Sequence, residues 1–337
     1  MRKIMVLMGV TCAGKSTITN TNNLQIKGCN IYILSSDKMR EQYGLEECSC
    51  EVFKLIEQEI TKISKENNSY CCIIDSTNLS YKRQNQWKLL SKRTKSEIEF
   101  VYKITHPQIW EQNVKKRIET KWINYTPERV INIKKNMLLA LNLPDNVKFI
   151  TKDIAIDKRE IEMFKDYYKT NQELFLTNPQ CFFQNALNLE KVIPELVSTF
   201  NFDQESQYHI DDLFNHLIKT TNYFVANSLT NYLTLEQKIW VGILHDIGKS
   251  VEGIKLRKED GNCSYIGHAG VSAELAILIL KRLGFDNDFI FKVAQIISLH
   301  MVLPYEMTEK SKNKLINRYS PEIFYTLQEF RVADKIR

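Results

Sequence analysis

Ile4-Met5-Val6-Leu7-Met8 runs straight into Gly9-Val10-Thr11-Cys12-Ala13-Gly14-Lys15-Ser16-Thr17, a strand-length apolar run followed by the spacing GxxxxGK[S/T]. Five apolar residues in succession suit a strand buried on both faces. The glycines after it let the backbone curl so that its N–H groups surround phosphate oxygens. Lys15 then reaches the β- and γ-phosphates and the Ser16 hydroxyl faces Mg²⁺, while Gly9, Thr11, Ala13, Gly14 and Thr17 complete the nucleotide-binding set. The following KSTITNTNN is compatible with a helix, so strand, loop and helix come in the order the chemistry needs. The stretch therefore predicts ATP, or another nucleoside triphosphate, held at the carboxyl end of the first strand of an α/β domain.

A chain of 337 residues with 43% hydrophobic content suits two domains rather than one small core. The longest apolar runs, such as Leu275 to Leu280, fall well short of the roughly eighteen residues of a membrane span, which excludes a spanning helix. With a strand at the very start and no leader pattern, the expected location is the cytoplasm, without membrane partners. The eight cysteines, among them Cys48/Cys50 and Cys71/Cys72, show no C-x-x-C pair and read as reduced, structural thiols. The net charge of +6 is uneven: residues 1–150 carry 24 Lys and Arg against 15 Asp and Glu, and the remainder 22 against 25. A basic first half suits an anionic substrate such as nucleic acid, although ordinary solvated lysines produce the same balance.

Beyond the phosphate loop, Ile31-Tyr32-Ile33-Leu34 reads as a second strand leading to Asp37 and Arg40. At that strand end Asp37 is placed to take the proton of an acceptor hydroxyl. Arg40, one helical turn on, shares its face and can hold a substrate phosphate by a forked pair of hydrogen bonds. A helix-opening Asp with Arg40 as surface charge is the alternative. The strand Tyr70 to Ile74 ends in Asp75-Ser76-Thr77-Asn78. Asp75 is the candidate to support Mg²⁺ through water, and Asn78 to orient the loop or the substrate. Arg83, opening the next helix, is grouped with the substrate-binding residues without an assigned role. A further strand, Ile98 to Ile104, continues the alternation of strand and helix that implies a parallel sheet. Gly9, Asp37 and Asp75 all fall at carboxyl ends of strands, where such sheets bind ligands.

The phosphate loop, D-x-x-R as Asp37…Arg40 and D-x-T-N as Asp75…Asn78 together resemble the 5′-hydroxyl polynucleotide kinases of bacteriophage and bacterial end-healing enzymes, over roughly residues 1 to 150. The resemblance implies that Asp37 activates the 5′-hydroxyl and that Arg40 binds the phosphate 3′ to the first nucleotide. It also implies a lid on the helix around Val114-Lys115-Lys116-Arg117-Ile118-Glu119-Thr120-Lys121. Arg117 fits one lid position on the ATP phosphates; Lys121 stands where the family usually has an arginine, and lysine offers a point charge without the fork.

Thr126-Pro127-Glu128 opens another helix with Pro at its first position, ending before Leu143-Pro144-Asp145. Asp157 to Asn178 reads as one amphipathic helix. The expected division is a P-loop kinase domain over 1–152, a helical connector over 153–198 and an all-α domain over 199–337.

Five of the six histidines lie beyond residue 200: His209, His216, His245, His268 and His300. Ile243-Leu244-His245-Asp246-Ile247-Gly248-Lys249 reads as a His-Asp doublet in an apolar helix ended by glycine. His245 and Asp246, with His216 from an earlier helix and Asp334 near the end, make a nitrogen and oxygen ligand set with exchangeable positions, which is the pattern of a catalytic metal site. His268 and His300 can hold a second ion bridged by Asp246, and two ions would activate water and stabilise phosphoryl charge. This pattern, H…HD…D as His216, His245-Asp246 and Asp334, resembles the HD phosphohydrolase superfamily, with His268 and His300 matching its binuclear subset. FDQESQYHIDDLFNH at 202–216 and GHAGVSAELA from 267 resemble the HD domain attached to some bacterial tRNA nucleotidyltransferases, but no nucleotidyltransferase domain is visible. His209 is assigned to substrate contact or proton transfer. Lys249 is assigned to a substrate phosphate, although a lysine near a helix C-terminus is also favoured electrostatically.

The combined expectation is a bifunctional end-healing enzyme: ATP-dependent phosphorylation of 5′-hydroxyl ends, and metal-dependent removal of 3′-phosphate or 2′,3′-cyclic phosphate ends. Its cofactors would be ATP with Mg²⁺ and one or two ions of Mn, Ni, Co, Fe or Zn. Its substrates would be RNA or DNA ends, and a separate ligase would act downstream. The rivals are a nucleoside or metabolite kinase fused to an HD nucleotidase or phosphodiesterase, and a regulatory module in which the second domain only senses a nucleotide.

Overall fold

The computed structural model describes residues 1–20, 28–46, 49–120, 125–205, 211–304 and 306–336. They form two compact units, Met1–Asp153 and Ile154–Arg337.

In the first unit the order is β1 (Arg2–Met8), α1 (Lys15–Asn20), β2 (Asn30–Ser35), α2 (Ser36–Tyr43), α3 (Val52–Glu66), β3 (Tyr70–Asp75), α4 (Tyr81–Thr94), β4 (Glu97–Thr105), α5 (Pro107–Glu119), α6 (Pro127–Leu139) and β5 (Lys148–Lys152). The strands form one sheet in the order β2-β3-β1-β4-β5, with every neighbouring pair parallel. β1 and β3 lie inside it, and Ile4, Val6, Leu7, Cys71, Cys72, Ile73 and Ile74 are all fully buried, as continuous apolar runs require. Register sets the site: Leu7 of β1 and Ser35 of β2 both align with Asp75 of β3. Gly9, Asp37 and Asp75 thus end up along one edge of the sheet. The helices follow local signals, such as Pro107 and Pro127 in the first turns of α5 and α6, and Val52, Ile56, Ile60 and Ile63 buried along one face of α3. β5, the edge strand KFITK, is an element the sequence pattern hides, because it buries only Phe149 and leaves Ile150 exposed.

In the second unit α7 (Lys158–Thr170), α8 (Gln172–Thr177), α9 (Pro179–Asn185), α10 (Leu189–Val192) and α11 (Pro194–Val197) precede α12 (Leu213–Asn227) and α13 (Leu235–Leu244). A 3₁₀ turn at Ile247–Ser250 and a minimal hairpin of β6 (Leu256–Arg257) and β7 (Cys263–Ser264) follow, then α14 (His268–Leu283), α15 (Asn287–Leu299), α16 (Glu309–Tyr319) and α17 (Pro321–Ala333). This unit is helical apart from that hairpin. The single helix expected over Asp157–Asn178 is two, because the Asn171 amide bonds back to the Tyr167 carbonyl at 2.9 Å and competes with helix continuation. The helices of the expected connector belong to this unit. Phe175 packs on Phe182 at 5.2 Å between ring centres and Phe183 on Trp240 of α13 at 5.9 Å, edge to face. Among the described residues no helix is long and apolar enough to cross a membrane.

Candidate functional site

The phosphate loop is braced from outside itself. Trp110 Nε1 donates to the Thr11 carbonyl (2.8 Å), Asn113 Nδ2 to that of Cys12 (3.0 Å) and the Thr105 hydroxyl to that of Ala13 (2.8 Å). With its carbonyls tied to β4 and α5, the loop is free to turn N–H groups toward a ligand. Gly9 has φ +148°, and a Cβ there would lie 2.7 Å from the Lys103 carbonyl oxygen, so only glycine fits. Its N–H bonds the Thr77 carbonyl at 3.0 Å, joining the loop to the β3 turn. Lys15 Nζ donates to the Gly9 and Val10 carbonyls, each at 2.9 Å. Burial pushes its pKa down, against the attraction of Asp75 and Asp37. Ser16 Oγ donates to Asp75 Oδ2 at 2.9 Å. A hydroxyl and a carboxylate in contact at a loop of this shape are hard oxygen donors that fit Mg²⁺. Arg117 of α5 reaches the loop, with Nη1 4.0 Å from Cys12 Sγ.

On the acceptor side Arg40 Nη1 donates to Asp37 Oδ1 at 3.1 Å, and the Asp37 side chain is 92% exposed. Ser35, not Asp37, is the residue preceding α2, so the aspartate does not cap the helix. Asn78 anchors the loop, the first of the two roles expected of it. It is 2% exposed, its Nδ2 donates to the Leu7 carbonyl at 2.8 Å and its Oδ1 accepts from Trp87 Nε1 at 2.9 Å. Of the remaining expected residues, Lys121 and His209 lie outside the described residues.

In the second unit His216 (α12), the doublet His245-Asp246, His268 (α14), His300 and Asp334 converge. Two overlapping groups arise, His216–His245–Asp246–Asp334 and Asp246–His268–His300. The doublet sits just past the end of α13 rather than within it, with His245 as the C-cap residue and Gly248 in the 3₁₀ turn. Ending the helix there lets Asp246 turn between the groups. Its Oδ2 lies 3.6 Å from His216 Nε2 and 3.4 Å from His245 Nε2, and its Oδ1 lies 3.0 Å from His268 Nε2 and 3.5 Å from His300 Nε2. Asp334 Oδ1 lies 3.0 Å from His245 Nε2 and 3.2 Å from His216 Nε2.

The chemistry of these donors fits divalent ions. Nδ1 of His245, His268 and His300 faces the carbonyl of Gly242 (2.8 Å), Tyr265 (2.6 Å) and Ile297 (2.7 Å) respectively. A carbonyl only accepts, so each Nδ1 carries a hydrogen and each Nε2 faces the carboxylates, the orientation of metal-binding histidines. His268 and His300 then oppose Nε2 to Nε2 at 3.1 Å, beside Asp246 Oδ1. A proton on one of the two nitrogens, or a cation held between them, satisfies such a pair. Burial disfavours a charged His245, yet Asp246 and Asp334 outweigh it and push its pKa up to about 10, so the pocket favours positive charge. Burial holds His300 below its ordinary value, in the neutral form that ligates.

Lys249 is 6% exposed, and its Nζ meets Asp246 Oδ2 at 2.6 Å and Gln204 Oε1 at 2.9 Å. The ammonium is thus held inside the protein, against Asp246. Despite burial, Lys249 and the histidines hold Asp246 well below the carboxylate range. Gly248 allows this close packing, since a Cβ there would lie 2.7 Å from the His268 carbonyl oxygen and 2.8 Å from Ser272 N. Gly248→Ala is expected to cost about 1–3 kcal/mol by overpacking and to displace the start of α14. Thermal unfolding of the metal-free protein, compared with metal uptake at the His268 group, checks both effects.

Sequence reasoning missed Thr105, Trp110, Asn113 and Gln204. The first three act through single contacts to loop carbonyls from far along the chain, and no spacing rule signals such contacts.

A family model described as an AAA domain matches residues 4–137. The A-adding tRNA nucleotidyltransferase of Deinococcus radiodurans is 29% identical over 114 residues, 34% of this chain and 25% of that protein. The chain thus spans about a quarter of the length of the curated relative it matches. The APS kinase of Mycobacterium tuberculosis, solved with AMPPNP and APS, aligns with a TM-score of 0.33 and 16% identity, covering 48% of this chain and 95% of that one. A gluconokinase of Sinorhizobium meliloti aligns with a TM-score of 0.31 and 14% identity, covering 52% and 98%. The first unit of this chain is therefore a parallel α/β domain with a phosphate-binding loop, similar over residues 4–137 to the AAA domain family.

Proposed function

We propose that the chain heals nucleic-acid ends, its first unit phosphorylating a 5′-hydroxyl from ATP and its second, an HD-type phosphohydrolase, removing a 3′-phosphate or 2′,3′-cyclic phosphate. The observation that carries the reading is the Asp37–Arg40 contact of 3.1 Å beside the phosphate loop. It couples a carboxylate able to accept a hydroxyl proton with a guanidinium able to hold a neighbouring phosphate. In the transfer step the acceptor oxygen bonds to the γ-phosphorus, the bond to the β–γ bridging oxygen breaks, ADP leaves and the proton goes to Asp37. Lys15 and the loop N–H groups hold the charge that builds on the phosphates, and Arg117 approaches from α5. Ser16 and Asp75 would hold Mg²⁺, which neutralises phosphate charge when bound. In the second unit His216, His245, Asp246 and Asp334 would hold one divalent ion and Asp246, His268 and His300 another; ions so held supply Lewis acidity and activated water. Lys249 keeps Asp246 ionised and oriented. The tRNA-handling relative adds support for a polynucleotide substrate.

The openness of Asp37, 92% exposed, also admits a small hydroxylated metabolite as acceptor. Comparing a 5′-hydroxyl dodecanucleotide with its free nucleoside decides between them. The end-healing reading predicts kcat/KM at least about tenfold higher for the oligonucleotide, since one charge-assisted contact is worth that much. Equal values, or faster transfer to a metabolite, would favour the small-molecule kinase.

A further inference from the structure

The Arg83 guanidinium lies over the Phe53 ring, 3.3 Å from its centre, and that of Arg40 lies 5.9 Å from the centre of the same ring. Two guanidinium groups therefore converge on one aromatic platform, and one of them touches Asp37. Arg83 comes from the first turn of α4, where its backbone N–H bonds the capping Ser80 hydroxyl, and its Nη1 donates to Gln86 Oε1 at 2.6 Å. These contacts fix the plane of the group without neutralising it. Among the described residues no carboxylate pairs with Arg83; the nearby Glu57 is engaged by Arg93 and by Gln86. Arg40 Nε is buried without a hydrogen-bond partner among the described residues. Burial, and after it the neighbouring Arg40 charge, press the Arg83 pKa down despite the opposing interaction with Cys50, a cost that an added anion relieves.

A half-buried arginine that is stacked on a ring, bonded to Gln86 and Cys50 but to no carboxylate, and set beside a second arginine is a preorganised seat for a tetrahedral oxyanion. We infer that Arg83 joins Arg40 in gripping a single phosphate, the one on the 3′ side of the nucleotide that bears the accepting hydroxyl, with each guanidinium taking a different non-bridging oxygen. This rests on the kinase reading of the first unit and deepens it: a phosphate next to the acceptor becomes a requirement set by two residues rather than one. Phe53 serves as the platform that aims Arg83, and with its face covered it does not stack a base.

The test is calorimetric binding of adenosine 3′-phosphate and of adenosine to the full chain, in the wild type, Arg83→Gln, Arg83→Lys and Phe53→Leu. The quantity read is the ratio of the two Kd values. The wild type should favour the phosphorylated ligand by at least tenfold, Arg83→Gln should lower that ratio about tenfold, and Arg83→Lys should restore part of it. Phe53→Leu should lower the ratio while Arg83 is still present, which a purely structural role for the arginine would not produce. A ratio unchanged in Arg83→Gln, or no preference for the phosphate in the wild type, overturns the inference. Transfer from ATP, followed in parallel, separates the two levels of reading. Preference without transfer leaves the phosphate seat standing and sinks the kinase, whereas transfer with a ratio indifferent to Arg83 does the reverse.

Discussion

Lys15→Ala is expected to lower phosphoryl transfer from ATP by about 10³-fold or more, with ATP binding weakened as well. Removing one neutral oxyanion donor from an enzyme costs about 10²–10³-fold, and Lys15 contributes a full charge where the β- and γ-oxygens accumulate negative charge. The local structure shows how the charge is kept ready. Two carbonyls of the loop's own backbone hold the ammonium at 2.9 Å, so a polyphosphate entering the loop meets an oriented donor. Lys15→Arg keeps the charge but brings a wider, planar group into a buried space, and is expected to rescue little. Steady-state kinetics on both variants, with nucleotide binding measured separately, checks this; near-normal turnover in Lys15→Ala would remove the loop from the chemistry.

The second large effect is expected at Asp246. Asp246→Asn should lower divalent-metal affinity by more than about 100-fold, because even partners one shell out from a metal are worth about 10–100-fold and this carboxylate faces both groups of histidines. It should also destabilise the fold, since Lys249 would be left buried without its ionised partner; breaking a buried pair in this way costs about 3–5 kcal/mol. The two consequences are separated by His300→Gln, which removes an imidazole from the second group and leaves Lys249 paired. It should lose roughly one bound ion and most phosphohydrolase activity while melting near the wild type. Metal analysis by mass spectrometry alongside thermal unfolding reads both. Full metal content in Asp246→Asn would contradict the assignment of this cluster.

The parts legible in the sequence are those whose chemistry is contiguous or strand-terminal. GxxxxGKS declares itself because eight consecutive positions, Gly9 to Ser16, must cooperate, and Asp37 and Asp75 are marked by the apolar runs that precede them. The His-Asp doublet is visible because two ligands adjacent in sequence are unusual in an apolar stretch. Contacts that depend on the third dimension stay hidden. The Lys249 side chain reads as a contact to substrate phosphate or a charge at a helix end, and only the turn after α13 shows it folded against Asp246; Asn78 reads as orienting loop or substrate, and only the structure shows its amide bonded to Leu7 and Trp87. β5 escapes because an edge strand with one buried residue has no period to detect. The break at Asn171 escapes because the apolar pattern continues on both sides and no Gly or Pro marks it.

The most direct test uses an oligonucleotide bearing a 5′-hydroxyl and a 3′-phosphate, incubated with ATP and divalent ions, with both termini followed in the same reaction. In the wild type the 5′ end should gain a phosphate and the 3′ end lose one. Lys15→Ala should arrest only the first change and His300→Gln only the second. Termini left unaltered by the wild type, or either variant arresting both changes together, would contradict two independent phosphate-handling centres on this chain.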